Sequence, residues 1–313
     1  MIAKTAYLSK KKKKTVKKLE KEQLPKLQEY EKHLENLGDR NSYSKIDTDA
    51  TFMRMKEDHM KNGQLKAAYN VQISTENQII THFSVHQKST DFTTLESHLE
   101  GFKNAYDKTS KQIIADAGYG SEENYQMLEQ QQMEFFIPYN MYRMEQKRKH
   151  KNNLFHTQNL YHNIELDFLV CPMGQRMEKI YTKESKTTTG FLQQHSVYQA
   201  QNCQGCPMRG QCFNAKGNRR IEINHNLQRL KAKARENLEN KEGKEIYAKR
   251  CIEPEPVFGN IKQNKHFKRF SLRKLTKINI EFGLVAIAHN FAKWIEKIRL
   301  LGFIQNHRVI ECF

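Results

Sequence analysis

Apolar positions along this chain change period several times, and each change predicts an element. After an unbroken basic run, Lys10 to Lys14, the stretch KKLEKEQLPKLQEYEKHLENLGD places Leu27, Tyr30, Leu34 and Leu37 at 3-4-3 spacing. That spacing predicts a helix, closed by the Gly38-Asp39 pair. From Thr51 the period shortens. AAYNVQIS (67–74) and IITHFSVHQ (79–87), joined by TENQ, predict a β-hairpin. Phe92, Leu95, Leu99 and Phe102 then predict a helix capped by Ser89, Thr90 or Asp91. KQIIADAGYG (111–120) predicts a short strand running into an acid and two glycines. A helix opens at Ser121 with Glu122 and Glu123 in its first turn, and EFFIPYN (134–140) predicts a further strand. Strand, strand, helix, strand, helix, strand is an α/β pattern.

The second half has a different texture. Tyr142 to Asn153 reads as a basic, polar linker, and 154–221 as an irregular, strand-poor region holding four of the six cysteines. Residues 227–250 are charged and helical in character. Pro254, tolerated in a first turn because that position needs no N–H partner, marks a helix start in CIEPEPVFGNIKQN. Leu275, Ile278, Phe282, Val285, Phe291 and Ile295 predict a long helix over 272–298. No internal repeat is present.

Charge sharpens this picture. Lys and Arg total 53 against 35 Asp and Glu, a net charge of +18, which points to a polyanionic partner, nucleic acid first. No run of apolar residues is long enough to span a membrane, and no signal segment follows the N-terminal charges, so a cytoplasmic, nucleoid-associated protein is expected. The Lys10–Lys14 run fits either a solvated terminus or a DNA-contacting arm.

Two carboxylates stand out. Asp116 ends the strand IIAD, at the kind of strand end where open α/β sheets bind ligands; alternatively it only starts the next turn. The neighbouring glycine would let a substrate backbone approach. Glu255 lies in the first turn after Pro254, where it suits the helix dipole, and Gly259 and Lys262 fall on its face at 100° per residue. Tyr247, Arg250, Glu255 and Lys262 are followed by a basic stretch with Lys265, Lys268, Arg269, Arg273 and Lys274. A lone acid amid so much positive charge is a poor phosphate ligand. It makes sense as a ligand for a divalent metal that itself meets phosphate.

IIADAGYG together with Y-x2-R-x4-E-x6-K resembles the DDE transposases of bacterial insertion sequences. The similarity includes DAGYGSEENY, a cysteine-bearing insertion and EPVFGNIK, and extends from about Asp47 to Ile298. The resemblance implies an RNase H-like mixed sheet with flanking helices, interrupted by the cysteine-containing insertion and preceded by a basic helix. It implies Mg²⁺ or Mn²⁺ held by carboxylates, with Asp116 as the second and Glu255 as the third. It also implies DNA contacts by Tyr247, Arg250 and Lys262, DNA ends and target as partners, and a homo-oligomer in the active complex. Relative to the common signature, one extra residue separates Arg250 from Glu255. The family's first Asp, in an Asp-Gly-Thr stretch, has no counterpart; Asp47 and Asp49 match a later part of the pattern. A truncated, catalytically impaired transposase is therefore expected. The alternative is a non-catalytic DNA-binding remnant or an inhibitor of a full-length relative.

The expected segments are a basic helix (1–45), the first part of the core (46–140), the cysteine-bearing insertion (141–225) and a helical part carrying Glu255 (226–313). Cys171, Cys203, Cys206 and Cys212 include one C-x2-C pair, the knuckle spacing of a structural Zn²⁺ site; free thiols are the alternative. Cys251 and Cys312 show no partner spacing.

Overall fold

The computed structural model describes residues 10–55 and 63–308. Cys312 lies outside them. The chain forms two compact units. One is built from segments up to residue 73, from 83–89 and from 260 onward; the other comprises 74–82 and 90–259.

Helix α1 (Lys10–Lys18) passes through a π-turn (Leu19–Gln23) into α2 (Leu24–Leu37), which ends at Gly38 with φ of 53°. The 3-4-3 seam is present, with Leu27, Tyr30 and Leu34 exposed and Leu37 partly buried. Strand β1 (Thr51–Arg54) pairs antiparallel with β2 (Leu65–Ala68). The hairpin is therefore shorter than expected. Only β3 (Asn70–Glu76) and β4 (Ile79–His86) form it, turning at Asn77 and Gln78. Both turn residues have positive φ, 53° and 62°, as a tight two-residue hairpin turn requires. Residues 67 and 68 are claimed by β1, a pairing choice that alternation alone does not encode.

Helix α3 (Leu95–Tyr106) begins later than its expected cap. Asp91–Thr93 is a short 3₁₀ turn, and the Thr94 hydroxyl donates to the Asp91 carbonyl at 2.7 Å. Strand β5 (Gln112–Ile114) and β6 (Glu134–Phe136) are parallel, connected through α4 (Glu122–Gln130). Ser121 caps α4 as expected, accepting the Asn124 N–H at 3.2 Å.

The expected linker instead contains two single-turn helices, α5 (Tyr142–Glu145) and α6 (Arg148–Lys151). Buried Glu145, paired with Arg235 at 2.8 Å, anchors them. The region expected to be strand-poor is a five-stranded antiparallel sheet. It is formed by β7 (Tyr161–Asn163), β8 (Phe168–Val170), β9 (Arg176–Lys186), β10 (Leu192–Ala200) and β11 (Arg220–Ile223), in the order β11-β10-β9-β8-β7. Most of β9 is exposed, so polar residues occupy both its faces and apolar alternation fades. A one-turn helix, α7 (Arg209–Cys212), precedes β11.

Helices α8 (His225–Glu239) and α9 (Lys241–Ala248) follow, capped by Asn224 and Asn240. After a 3₁₀ turn come α10 (Pro254–Gly259), a π-turn (Asn260–Asn264) and α11 (Leu275–Arg308). The start of α10 at Pro254 matches expectation.

Two buried clusters organise the 74–82/90–259 unit. Leu95, Leu99, Ile113, Tyr125, Phe135 and Leu230 are among those joining α3, α4, the parallel strands and α8. Leu169, Met177, Tyr198, Ala200, Ile221 and Ile223 form the second under the antiparallel sheet. Buried Glu122 accepts amide hydrogen bonds from Gln193, Asn224 and Asn226 at 2.8, 2.6 and 2.9 Å, and so locks α4 to β10 and α8. In the other unit, α11 buries Ile278, Phe282, Ala286 and His289, with Phe282 against Phe83 at 5.2 Å. Asp47 and Asp49 accept the Lys274 and Leu275 N–H groups at 3.1 and 2.9 Å, capping α11. A second apolar stripe of α11, Ile280, Leu284, Ile287, Phe291, Trp294 and Ile298, is exposed.

The α/β character of the chain is as expected. Among the described residues, however, the strands of 51–136 form three two-stranded sheets and not one mixed sheet. No helix there is long and apolar enough to cross a membrane.

Candidate active site

The 74–82/90–259 unit brings Asp116 and Glu255 to one guanidinium. Asp116 follows β5 and caps the 3₁₀ turn Ala117–Tyr119, accepting the Gly118 N–H at 3.3 Å. Glu255 projects from the first turn of α10. Arg250, in the 3₁₀ turn before α10, donates from Nη2 to Asp116 Oδ2 at 2.9 Å and from Nη1 to Glu255 Oε1 at 3.1 Å. Arg250 and Asp116 are 134 positions apart in the chain. The arginine side chain is 16% exposed, whereas the two carboxylates are 53% and 54% exposed. Both acids thus keep oxygen surface facing water while one cation spans them.

Gly120 holds this turn against the core. A Cβ there would stand 2.4 Å from the Pro138 carbonyl and 2.9 Å from Tyr125 Oη, so only glycine fits. The close approach at Gly120 is internal to the protein. Tyr119 is half-buried, and its phenol is pushed up by desolvation, then by Asp91 and Asp116. Asp91 also lies near Gly118: its Oδ2 would be 3.4 Å from a Cβ there. Asp91 is thus a further carboxylate beside the Asp116 turn that sequence reading treated only as a cap.

Tyr247 has an electrostatic link to this site. Burial pushes its phenol up, Arg250 and Arg143 pull it down, Asp116 raises it, and Arg143 hydrogen-bonds to it. Tyr247 also lines a cleft of about 680 Å³ together with Arg143, Lys151, Lys244, Tyr142 and Glu239. Sequence reading missed Arg143 because it fell in the supposed linker. Its charge was visible, but no period placed it.

The remaining basic residues named from sequence, Lys262, Lys265, Lys268, Arg269, Arg273 and Lys274, are exposed and belong to the other unit. Gly259 is exposed, with nothing within 4 Å of a Cβ; Val257 and Ile261 are buried. Past Gly259 the π-turn departs from 100° per residue, so the face predicted for Lys262 does not follow from an α-helical wheel.

Cys171, Cys203, Cys206 and Cys212 line one small cavity, are half-buried, and form no disulfide. Cys251 is exposed and free. Among the described residues, no three His, Cys, Asp or Glu side chains are arranged to hold a metal ion.

Residues 170–295 match the family model described as Transposase DDE domain. That segment is similar to the transposase DDE-domain family. The segment contains the four clustered cysteines, Tyr247, Arg250 and Glu255, and most of the described side chains of α11; Asp116 lies before it. No curated protein and no solved structure matches the chain.

Proposed function

We propose that this transposase-family chain binds DNA and that Asp116 and Glu255 form the divalent-cation site of an RNase H-like nuclease centre. The convergence of both carboxylates on Arg250 carries this reading. Two half-exposed carboxylates with room for water suit a hard cation such as Mg²⁺ or Mn²⁺. Such a cation supplies Lewis-acid charge for phosphoryl transfer. The protein's own residues do the rest. Asp116 and Glu255 offer oxygen ligands, Arg250 neutralises them when no cation is held, and Tyr247, Arg143 and Lys244 give the adjoining cleft a surface for a phosphate backbone. Lys262, Lys265, Lys268, Arg269, Arg273 and Lys274 add phosphate contacts by counterion release.

Two carboxylates hold one cation weakly, so cleavage by this chain alone should be slow. Mg²⁺-dependent nicking of supercoiled DNA tests this. A faint activity abolished by Glu255→Gln is expected; activity unchanged by Glu255→Gln would refute the assignment.

The same arginine favours a second reading, a non-catalytic DNA-binding protein whose two acids are permanently neutralised. Salt-dependent DNA binding with no nicking under any Mg²⁺ or Mn²⁺ concentration would select it. Several copies would act together on DNA ends, a reading supported by the exposed outer stripe of α11. Light scattering across a concentration series checks that; a monomer throughout would exclude it.

A further inference from the structure

Through α1, the π-turn and α2, none of the described side chains of residues 12–37 is buried. The C-terminal end of this helix is tied down. Arg40 donates to the carbonyls of Leu37, Thr48 and Asp49 at 3.1, 2.9 and 2.9 Å, and His33 hydrogen-bonds to the Tyr43 hydroxyl. Before that anchor, Leu24, Leu27, Tyr30 and Leu34 are each at least half exposed. Leu27, Tyr30, Leu34 and Leu37 follow the a-d-a-d spacing of two heptads, a seam that a second helix of the same repeat fills. The π-turn lengthens it. The Leu24 N–H donates to the Leu19 carbonyl, one residue further than in an α-helix, so Leu24 stacks over exposed Leu19 and the apolar strip continues toward α1.

The charges beside the seam select its occupant. With Leu27 at position a, Lys26 falls at g and Glu31 at e, and both are exposed. In a parallel, in-register pair of copies, each g residue meets the e residue five positions on in the other helix, so Lys26 of each copy faces Glu31 of the other. The antiparallel overlap of the same seam sets Glu31 against Glu31. Parallel pairing is the complementary arrangement.

We propose that residues 19–37 pair with the same segment of a second copy as a short parallel coiled coil, gathering the two α1 helices at one end as a fork for duplex DNA. Seven of the nine residues of α1 are lysine and none is acidic. Parallel pairing brings these two runs together, and their repulsion opposes the dimer until salt or phosphate screens it. Five apolar side chains at about half exposure offer roughly 100 Å² each, about 1,000 Å² over two copies, the size of a transient interface. The pairing is therefore weak and reversible, and DNA reinforces it. The fork rests on the DNA-binding reading above; the pairing does not.

The test is sedimentation velocity of the full chain over a concentration series, without DNA, at low and high salt. Wild type should dimerise reversibly, more strongly at high salt. Lys26→Glu and Glu31→Lys should each weaken the dimer about tenfold, and the double variant should restore it, with circular dichroism unchanged throughout. A wild-type chain that stays monomeric overturns the proposal. So do single variants that associate like wild type, which would put the contact elsewhere, α11 included, or a double variant that stays dissociated. Fluorescence anisotropy with a short random-sequence duplex then tests the fork by itself. Glu31→Lys should bind about fivefold more weakly than wild type despite its added positive charge, because paired arms are lost. Equal or tighter binding by Glu31→Lys overturns the fork. No DNA binding by any of these proteins would refute the fork together with the DNA-binding reading, and the sedimentation result would still decide the pairing.

Discussion

Two arginines each tie together distant parts of the chain, and they do so differently. Arg250 lies between carboxylates that are more than half exposed, whereas Arg219 is nearly buried against sulfur and carbonyl acceptors. The first arrangement is wet and exchangeable. Water can replace the guanidinium on either acid, as suits a site that must admit a cation and a phosphate. The second is closed, with its acceptors on turns that fold around the guanidinium, as suits a contact that holds the fold. The difference separates a solvated ion-pair site from a buried structural contact.

Breaking each arginine should expose that difference. The largest effect is expected from Arg219→Met, which removes buried hydrogen bonds to the Phe155 carbonyl and the Cys212 sulfur and should cost about 2 kcal/mol in chemical denaturation. Arg250→Gln should cost less than about 1 kcal/mol, because partly exposed ion pairs contribute little. Equal losses for the two variants would erase the distinction. Arg250→Gln should also sharpen it in the other direction. With the competing cation gone, Mn²⁺ affinity should rise by about fivefold, read by calorimetry; a fall would mean that Arg250 supports the cation instead of standing in for it. That change corresponds to about 1 kcal/mol.

Smaller effects lie further from both sites. Replacing any one of Lys265, Lys268 or Arg269 by Ala should reduce the slope of log K against log salt for DNA by about 0.9. An unchanged slope would remove that residue from the DNA contact. The join between α4 and α8 should be acid-sensitive. The Arg229 hydrogen bond, then Lys233, draws the Glu129 carboxyl down to about 2 from an ordinary 4.5. Its folded value is depressed, so its stabilisation is complete above pH 4.5 and is lost as pH falls toward 2. Glu129→Gln should flatten the stability curve in that window alone.

Helix starts were legible where a cap or proline fixed them. Ser121 and Pro254 are both where the sequence puts them, since each acts through its own backbone neighbours. Strand partners were not legible. Alternation shows that residues 67–74 are extended, but not that 67 and 68 pair with β1. The antiparallel sheet was missed altogether, because β9 is polar on both faces and lacks the period that marks a half-buried strand. The outer stripe of α11 was hidden for the opposite reason: a helix apolar on two sides blurs its own periodicity. At the site, Asp116 and Glu255 were named because each sits in a distinctive local motif, IIADAGYG and EPVFGNIK. Arg250 was named with them, but its position between them depends on contacts spanning 134 residues, which no local pattern records. Arg143 and Asp91 were missed because one was assigned to a linker and the other to a cap.

The most direct test of the central claim is Mn²⁺ binding to the full chain, measured by electron paramagnetic resonance, for wild type, Asp116→Asn and Glu255→Gln. One bound ion in wild type, lost in each variant while circular dichroism stays unchanged, is the predicted result. No bound ion in wild type, or the same binding in all three proteins, would contradict a shared cation site at Asp116 and Glu255.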